Sequence, residues 1–270
     1  MHALGINARN VLGIAPRNDA AGIGLARDKV ATKARLEESG VPVPETYGLI
    51  GDMWGLERLG PALVRPAVIK PAAGAGGGGV LLLEPEGDAF RTPSGRRMSL
   101  EEVMRHGAEI LHGGFTYGGA DRILIEERLD PHPDVARLHG AGIADVRVIY
   151  IDGCRALSML RMPTVQSDGK ANLHQGGVAA PVDDGGCLGP VFDGRGHAPH
   201  HPDGARVEGQ RLPDWDELLA VSGDAARVFP LGYSGIDLVL TSRGPVVLEV
   251  NARPGLAIQN VHRKSLWPWL

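Results

Sequence analysis

Cysteine is nearly absent: 270 residues hold two, Cys154 and Cys187. Their spacing fits neither a metal site nor a disulfide framework, so they read as free thiols in a reducing compartment. Aromatic residues are sparse, four each of Trp, Tyr and Phe. No apolar run approaches the ~20 residues that span a bilayer. Met1 to Gly13 lacks the charged start and long apolar stretch of a secretion signal. Basic residues do not cluster and the net charge is −4, which excludes a broad nucleic-acid-binding surface. These absences imply a cytoplasmic protein with neither nucleic acid nor membrane as partner.

Glycine is abundant instead, with 39 residues, while 43% hydrophobic and 22% charged residues place the chain in the ordinary globular class. The glycines form no repeat, so they mark tight turns and backbone that approaches a ligand closely. A chain this long buries a substantial core, as one large domain or two joined lobes.

Apolar spacing predicts a helix over Asp28 to Ser39, stopped by Gly40 and by Val41-Pro42-Val43-Pro44. A strand over Val64 to Lys70 runs into the tract 72–79, and Val80 to Leu83 forms a strand beyond it. Ser99 opens a helix with a capping-box pattern that runs to about His112, and Ile123 to Glu127 is a buried strand. From Asp145 alternating strands dominate, with a hairpin turn at Asp152-Gly153. Residues 183–213 form a long Gly-, Pro- and His-rich excursion, expected to be functional or mobile. A helix over Asp214 to Val228 and a hairpin over Gly232 to Val250 close an α+β chain whose strands are mostly antiparallel.

The closing hairpin is the most informative segment. Strand alternation puts Glu249 and Asn251 on one face, and a turn at 241–244 centred near Arg243 sets Asp237 opposite Glu249. Facing carboxylates destabilise a sheet unless a positive charge sits between them. Three such oxygen ligands suit Mg²⁺; the alternative is an edge hairpin with solvated polar residues. The glycine tract, with Gly74, Gly76, Gly77 and Gly78, lies between strands and lacks the Lys-Ser/Thr of a Walker loop. Consecutive backbone N–H groups can converge there on an anion, with Lys70 beside them supplying a point charge and Lys29 a second candidate. Arg147 and Arg161 sit inside apolar strands, so each pairs structurally, as Arg147 could with Asp145, or meets an anion. The His197, His200 and His201 spacing is irregular and argues against a transition metal.

Taken in order, Asp28-Lys29 with 40–44, Val68-Ile69-Lys70-Pro71 with the glycine tract, Ile125-Glu126-Glu127, Asp145-Val146-Arg147, residues 172–177, Gly235-Ile236-Asp237 and residues 249–255 resemble the ATP-grasp superfamily. Within it the chain is most similar to the RimK-related α-L-glutamate ligase-like group. The resemblance implies an ATP-grasp fold in which two lobes clamp ATP: residues 1–125 with the lid lobe, and residues 126–270 with the metal site and the excursion. It implies that Lys29 and Lys70 contact phosphates, the loop 74–79 covers them, and Glu126 and Glu127 meet adenine. Asp134 would take the ribose hydroxyls. Asp237, Glu249 and Asn251 would hold one or two Mg²⁺, with Mn²⁺ as a substitute. Arg147, Arg161 and Asn172 would face the γ-phosphate and an acyl phosphate.

The implied activity is ATP-dependent ligation of a small-molecule or peptide carboxylate to an amine; the alternatives are a nucleotide-binding sensor or assembly module, or a kinase. Only 28 residues precede Lys29, so the usual preceding domain is expected to be absent or reduced. Acid recognition would then fall to the excursion, a second subunit or a partner protein. Lys170 stands where RimK-type ligases tend to carry arginine, two residues before the Asn172-Leu173-His174 run, and Gln175 replaces a basic residue, which withholds support from glutamate as substrate. Trp267-Pro268-Trp269-Leu270 leaves a homo-oligomeric interface and packing onto the same lobe equally open.

Overall fold

A computed structural model describes residues 3–74, 76–116, 119–140 and 142–270. The chain divides into two units, a larger one of residues 1–27, 31–43 and 130–270, and a smaller one of 28–30 and 44–129. This corrects the expected division at 125/126. Strand Ile123–Glu127 is paired on both sides within the first sheet, so its last two residues cannot be cut from it. Ala26, Leu36 and Val41 pack into the core beneath the second sheet, which draws the N-terminal residues there.

The smaller unit carries β1 (Thr46–Ile50), β2 (Ala67–Pro71), β3 (Leu81–Glu86), β4 (Ala89–Arg91), β5 (Arg97–Ser99) and β6 (Ile123–Glu127). They form one antiparallel sheet in the order β1-β6-β2-β3-β4-β5. Val64 lies outside β2 and is exposed. The helix Leu100–Leu111 covers the sheet. Its start is the expected capping box: Ser99 Oγ accepts from the Glu102 N–H, and the Glu102 carboxylate accepts from the Ser99 N–H. Val103, Ile110 and Leu111 then meet Ile69, Leu83, Ile123 and Ile125 in one apolar core.

The larger unit carries β7 (Asp145–Ile151), β8 (Cys154–Met162), β9 (Val178–Val182), β10 (Val191–Phe192), β11 (His197–Ala198), β12 (Tyr233–Thr241) and β13 (Gly244–Asn251). Their order is β11-β10-β9-β8-β7-β12-β13, again antiparallel throughout. Asp152 and Gly153 both adopt positive φ, which a type I′ hairpin turn requires. One face packs Val146, Val148, Ile236, Leu238 and Val250 against the helix Trp215–Val228 through Leu218 and Ala225. The other face changes character along its length. Ile149, Ile151, Met159 and Tyr233 lie under Leu4, Ile14, Ile258, Val261 and Leu266 from the chain ends, and beyond them the face is charged.

The excursion is built, not structureless. It adds β10 and β11 to the sheet and buries Leu188, Val207 and Leu212 in the core. His201 is buried and donates Nε2–H to the Pro163 carbonyl, while His197 bonds the Val261 carbonyl, so these histidines serve packing. The C-terminus folds back in part: Leu266 is buried, Arg17 donates to the Leu270 carbonyl, and Trp267 and Trp269 keep exposed faces. Among the described residues no helix is long and apolar enough to cross a membrane.

Candidate functional site

The predicted residues fall into two groups, one in each unit. In the larger unit a single row across the sheet joins Arg147 of β7, Asp237 of β12 and Glu249 of β13. The next row toward the apolar end holds Ile149, Gly235 and Asn251. On the other side Asp145 stands opposite Arg161. Asp237 thus belongs to an interior strand and is 2% exposed, which overturns the solvated-edge alternative.

The positive charge that the facing carboxylates need is supplied here by arginine. Arg147 binds Asp237 bidentately, Nε to Oδ1 at 2.7 Å and Nη2 to Oδ2 at 2.6 Å. Arg161 donates Nη2 to Asp237 Oδ2 at 2.8 Å, Nε to Asp145 Oδ1 at 2.5 Å and Nη1 to Asn172 Oδ1 at 3.3 Å. Asn251 donates Nδ2 to Asp237 Oδ2 at 3.1 Å, which turns its amide oxygen away from that carboxylate. Burial alone would push the Asp237 carboxyl up, but Arg147 and Arg161 outweigh it and hold it below its ordinary value. Burial likewise disfavours the charge on Arg161, yet Asp145 and Asp237 keep it above the usual range. Arg147, Arg161, Asn172, Asp237 and Asn251 form one bonded cluster, and Glu249 faces it from the hairpin partner strand.

Asp145 belongs to this cluster as well. It binds Arg161, not the Arg147 of its own strand. Among the described residues no group of three or more His, Cys, Asp and Glu side chains is arranged to hold a metal. A set of two carboxylates and one amide oxygen fits Mg²⁺, which leaves much of its shell to water and phosphate. Asp237 can join that set through Oδ2 only by giving up a present donor, and through Oδ1 only beside the Arg147 Nε–H.

The row spacing depends on Gly235. A Cβ there would stand 2.7 Å from the Pro254 Cβ and 3.3 Å from the Ile149 Cδ1, because the turn after Asn251 folds over the strand. Gly235→Ala is expected to cost about 1–3 kcal/mol of stability as an overpacked site. A drop in urea midpoint at unchanged slope checks it.

In the smaller unit Lys29 is held at the mouth of the glycine tract. Its N–H donates to the Ala72 carbonyl at 2.9 Å and its Nζ to the Gly74 carbonyl. Lys70 forms a buried ion pair with Glu126, its diagonal neighbour across β2 and β6. Glu127 points the other way, its carboxylate accepting from the Glu45 N–H at 3.4 Å. Gly76 and Gly77 have positive φ, and the Gly79 carbonyl accepts from His106 Nε2 at 2.8 Å, which ties the far end of the tract to the covering helix. Gly78 lies in the turn formed by residues 76–79, Gly74 precedes that turn, and Ala75 lies outside the described residues. Asp134 lies in the larger unit on the one-turn helix Pro133–Ala136, paired with Arg137 at 2.9 Å.

The chain is 27% identical over 246 residues to a probable α-L-glutamate ligase of Thioalkalivibrio sulfidiphilus, covering 91% of this chain and 62% of that protein. It is 27% identical over 261 residues to a probable α-L-glutamate ligase of Marinobacter nauticus, covering 95% and 65%. The chain therefore spans under two-thirds of the length of these curated relatives. Its fold is similar to the D-alanine–D-alanine ligase from Bacillus anthracis complexed with ATP, with a TM-score of 0.51 at 15% identity over 94% of this chain and 64% of that one. The sequence pattern of one family runs from residue 10 to residue 270, and on that match the chain belongs to the sugar-transfer associated ATP-grasp family.

Proposed function

We propose that the chain carries the catalytic part of an ATP- and Mg²⁺-dependent carboxylate–amine ligase that forms an amide or peptide bond through an acyl phosphate. The observation that supports this most is the buried cluster of Arg147, Arg161, Asp237 and Asn251, set beside Glu249, in a chain of this family. Phosphoryl transfer rests on positioning and charge neutralisation more than on a protein nucleophile. In this reading Lys29 and Lys70 contact the ATP phosphates, the tract 74–79 covers them, and Glu126 and Glu127 receive adenine. Asp134 takes the ribose. Arg147, Arg161 and Asn172 hold the transferring phosphoryl group while a substrate carboxylate attacks it and ADP departs. The amine then displaces phosphate. Asp237, Glu249 and Asn251 would hold Mg²⁺, which supplies charge neutralisation of the phosphate oxygens. Water exclusion by the glycine tract would protect the acyl phosphate from hydrolysis.

Candidate substrate pairs include carbohydrate-linked acids and amines as well as amino acids, since the family is associated with sugar transfer. The expected result is ADP formation that requires both an acid and an amine, and a hydroxamate when hydroxylamine replaces the amine. Lys70→Ala should abolish both. ATP binding without turnover for any pair would favour a sensor module, and a phosphorylated product that resists hydroxylamine would favour a kinase.

A further inference from the structure

Asp237 is held by four donors. Its Oδ1 accepts from Arg147 Nε, and its Oδ2 accepts from Arg147 Nη2, Arg161 Nη2 and Asn251 Nδ2, all within 2.6–3.1 Å. An ionised carboxylate offers about two lone-pair sites on each oxygen, so three donors more than fill Oδ2, and the one site left on Oδ1 lies beside the Arg147 Nε–H, where an arriving divalent ion meets the guanidinium charge. The two guanidiniums are not equally committed. Arg161 is pinned again by Asp145 and Asn172. Arg147 has only Asp237 as carboxylate partner among the described residues.

We infer that Arg147 is a resident cation in the metal seat: it occupies Asp237 while no divalent ion is bound and leaves when one binds, whereas Arg161 stays on Asp145. The inference rests on the ligase reading, in which Asp237, Glu249 and Asn251 receive Mg²⁺. Its physical content is competition. A divalent ion arriving alone must displace a bidentate, charge-assisted pair from a carboxylate that is almost wholly buried. An anion that takes up the displaced guanidinium removes part of that cost. Ion binding is thereby coupled to the arrival of a phosphoryl or carboxylate group, because a released Arg147 left without an anion would be a partly buried, uncompensated charge.

The test is Mn²⁺ titration of the nucleotide-free full chain, with free Mn²⁺ read by electron paramagnetic resonance. The wild-type protein should bind weakly. Arg147→Met should bind about tenfold or more tightly, the least that a charge-assisted hydrogen-bonded pair is worth, and adding Asp237→Asn should erase the gain. A second readout needs no variant: Mg²⁺ and ADP added together should shift the Arg147 Nε–H resonance and remove its exchange protection while the Arg161 Nε–H signal persists. Equal Mn²⁺ affinity in folded wild-type and Arg147→Met proteins overturns the inference, as does an unmoved Arg147 signal with Mg²⁺ and ADP bound. Absence of ADP formation in the substrate screen would instead strike the ligase reading and leave the Mn²⁺ competition intact.

Discussion

An Asp237→Ala protein is expected to lose about 3–5 kcal/mol of folding stability, the cost of removing one partner from a buried ion pair. Two guanidiniums converge on that carboxylate, and the Arg147 and Arg161 side chains are 12% and 6% exposed. Without Asp237, Arg147 keeps no ion-paired carboxylate among the described residues, and Arg161 keeps only its ion pair with Asp145. Asn251→Ala should cost much less, about 1 kcal/mol, because it removes one neutral donor from an acceptor that retains three others. Urea denaturation of both variants at pH 7 checks the contrast. Similar small losses in the two would mean that the arginines find other partners. Acid should reproduce part of the effect chemically. The folded-state pKa of Asp237 is depressed, so its contribution is complete above the unfolded value near 4 and is lost as pH falls through the folded value.

Acid should weaken the fold at milder pH through a different group. Burial pushes the His139 imidazole down to about 4, and its Nε2 has no hydrogen-bond partner. A histidine whose folded pKa lies below its unfolded value near 6.5 binds fewer protons when folded. Stability is therefore fully present above pH 6.5 and falls as pH drops from there toward 4. The loss from His139 is about 2 kcal/mol by pH 5 and about 3 kcal/mol by pH 4. His201 and His262 are lowered in the same direction, again chiefly by burial, and add to the slope. Urea midpoints at pH 8 and pH 5 measure the total, and His139→Gln should flatten most of it. A slope unchanged by that substitution would assign the acid sensitivity elsewhere.

Much of this was legible in the sequence because local rules agreed with the fold. The capping box at Ser99, the Asp152-Gly153 turn and the alternation over Asp145 to Ile151 each carry their own signal. The gathering of Arg147, Arg161, Asn172, Asp237 and Asn251 followed from reading ordered motifs together. What the sequence hid were two single-residue irregularities. A bulge between Ile149 and Tyr150 sets Asp145 opposite Arg161, where plain counting back from the turn reaches Leu160. Strand alternation offers Asp145 the Arg147 of its own strand as one partner, whereas in the fold it pairs with Arg161. A second bulge, at Leu248, brings Asp237 opposite Glu249, although the loop is centred between Ser242 and Arg243. The facing of those carboxylates thus depends on an extra residue that no turn signal announces. The excursion misled for another reason: Gly- and Pro-rich composition marks turns, but Val207 and His201 are buried by contacts distant in sequence.

The pairing of β7 with β12 has a kinetic consequence. Arg147 and Asp237 are neighbours in space but ninety positions apart along the chain. Closing so large a loop costs entropy before any contact rewards it, and topologies of this kind assemble slowly. During synthesis the hairpin bearing both guanidiniums emerges well before the carboxylate that neutralises them, so the centre of the sheet should be among the last parts to gain protection from hydrogen exchange during refolding.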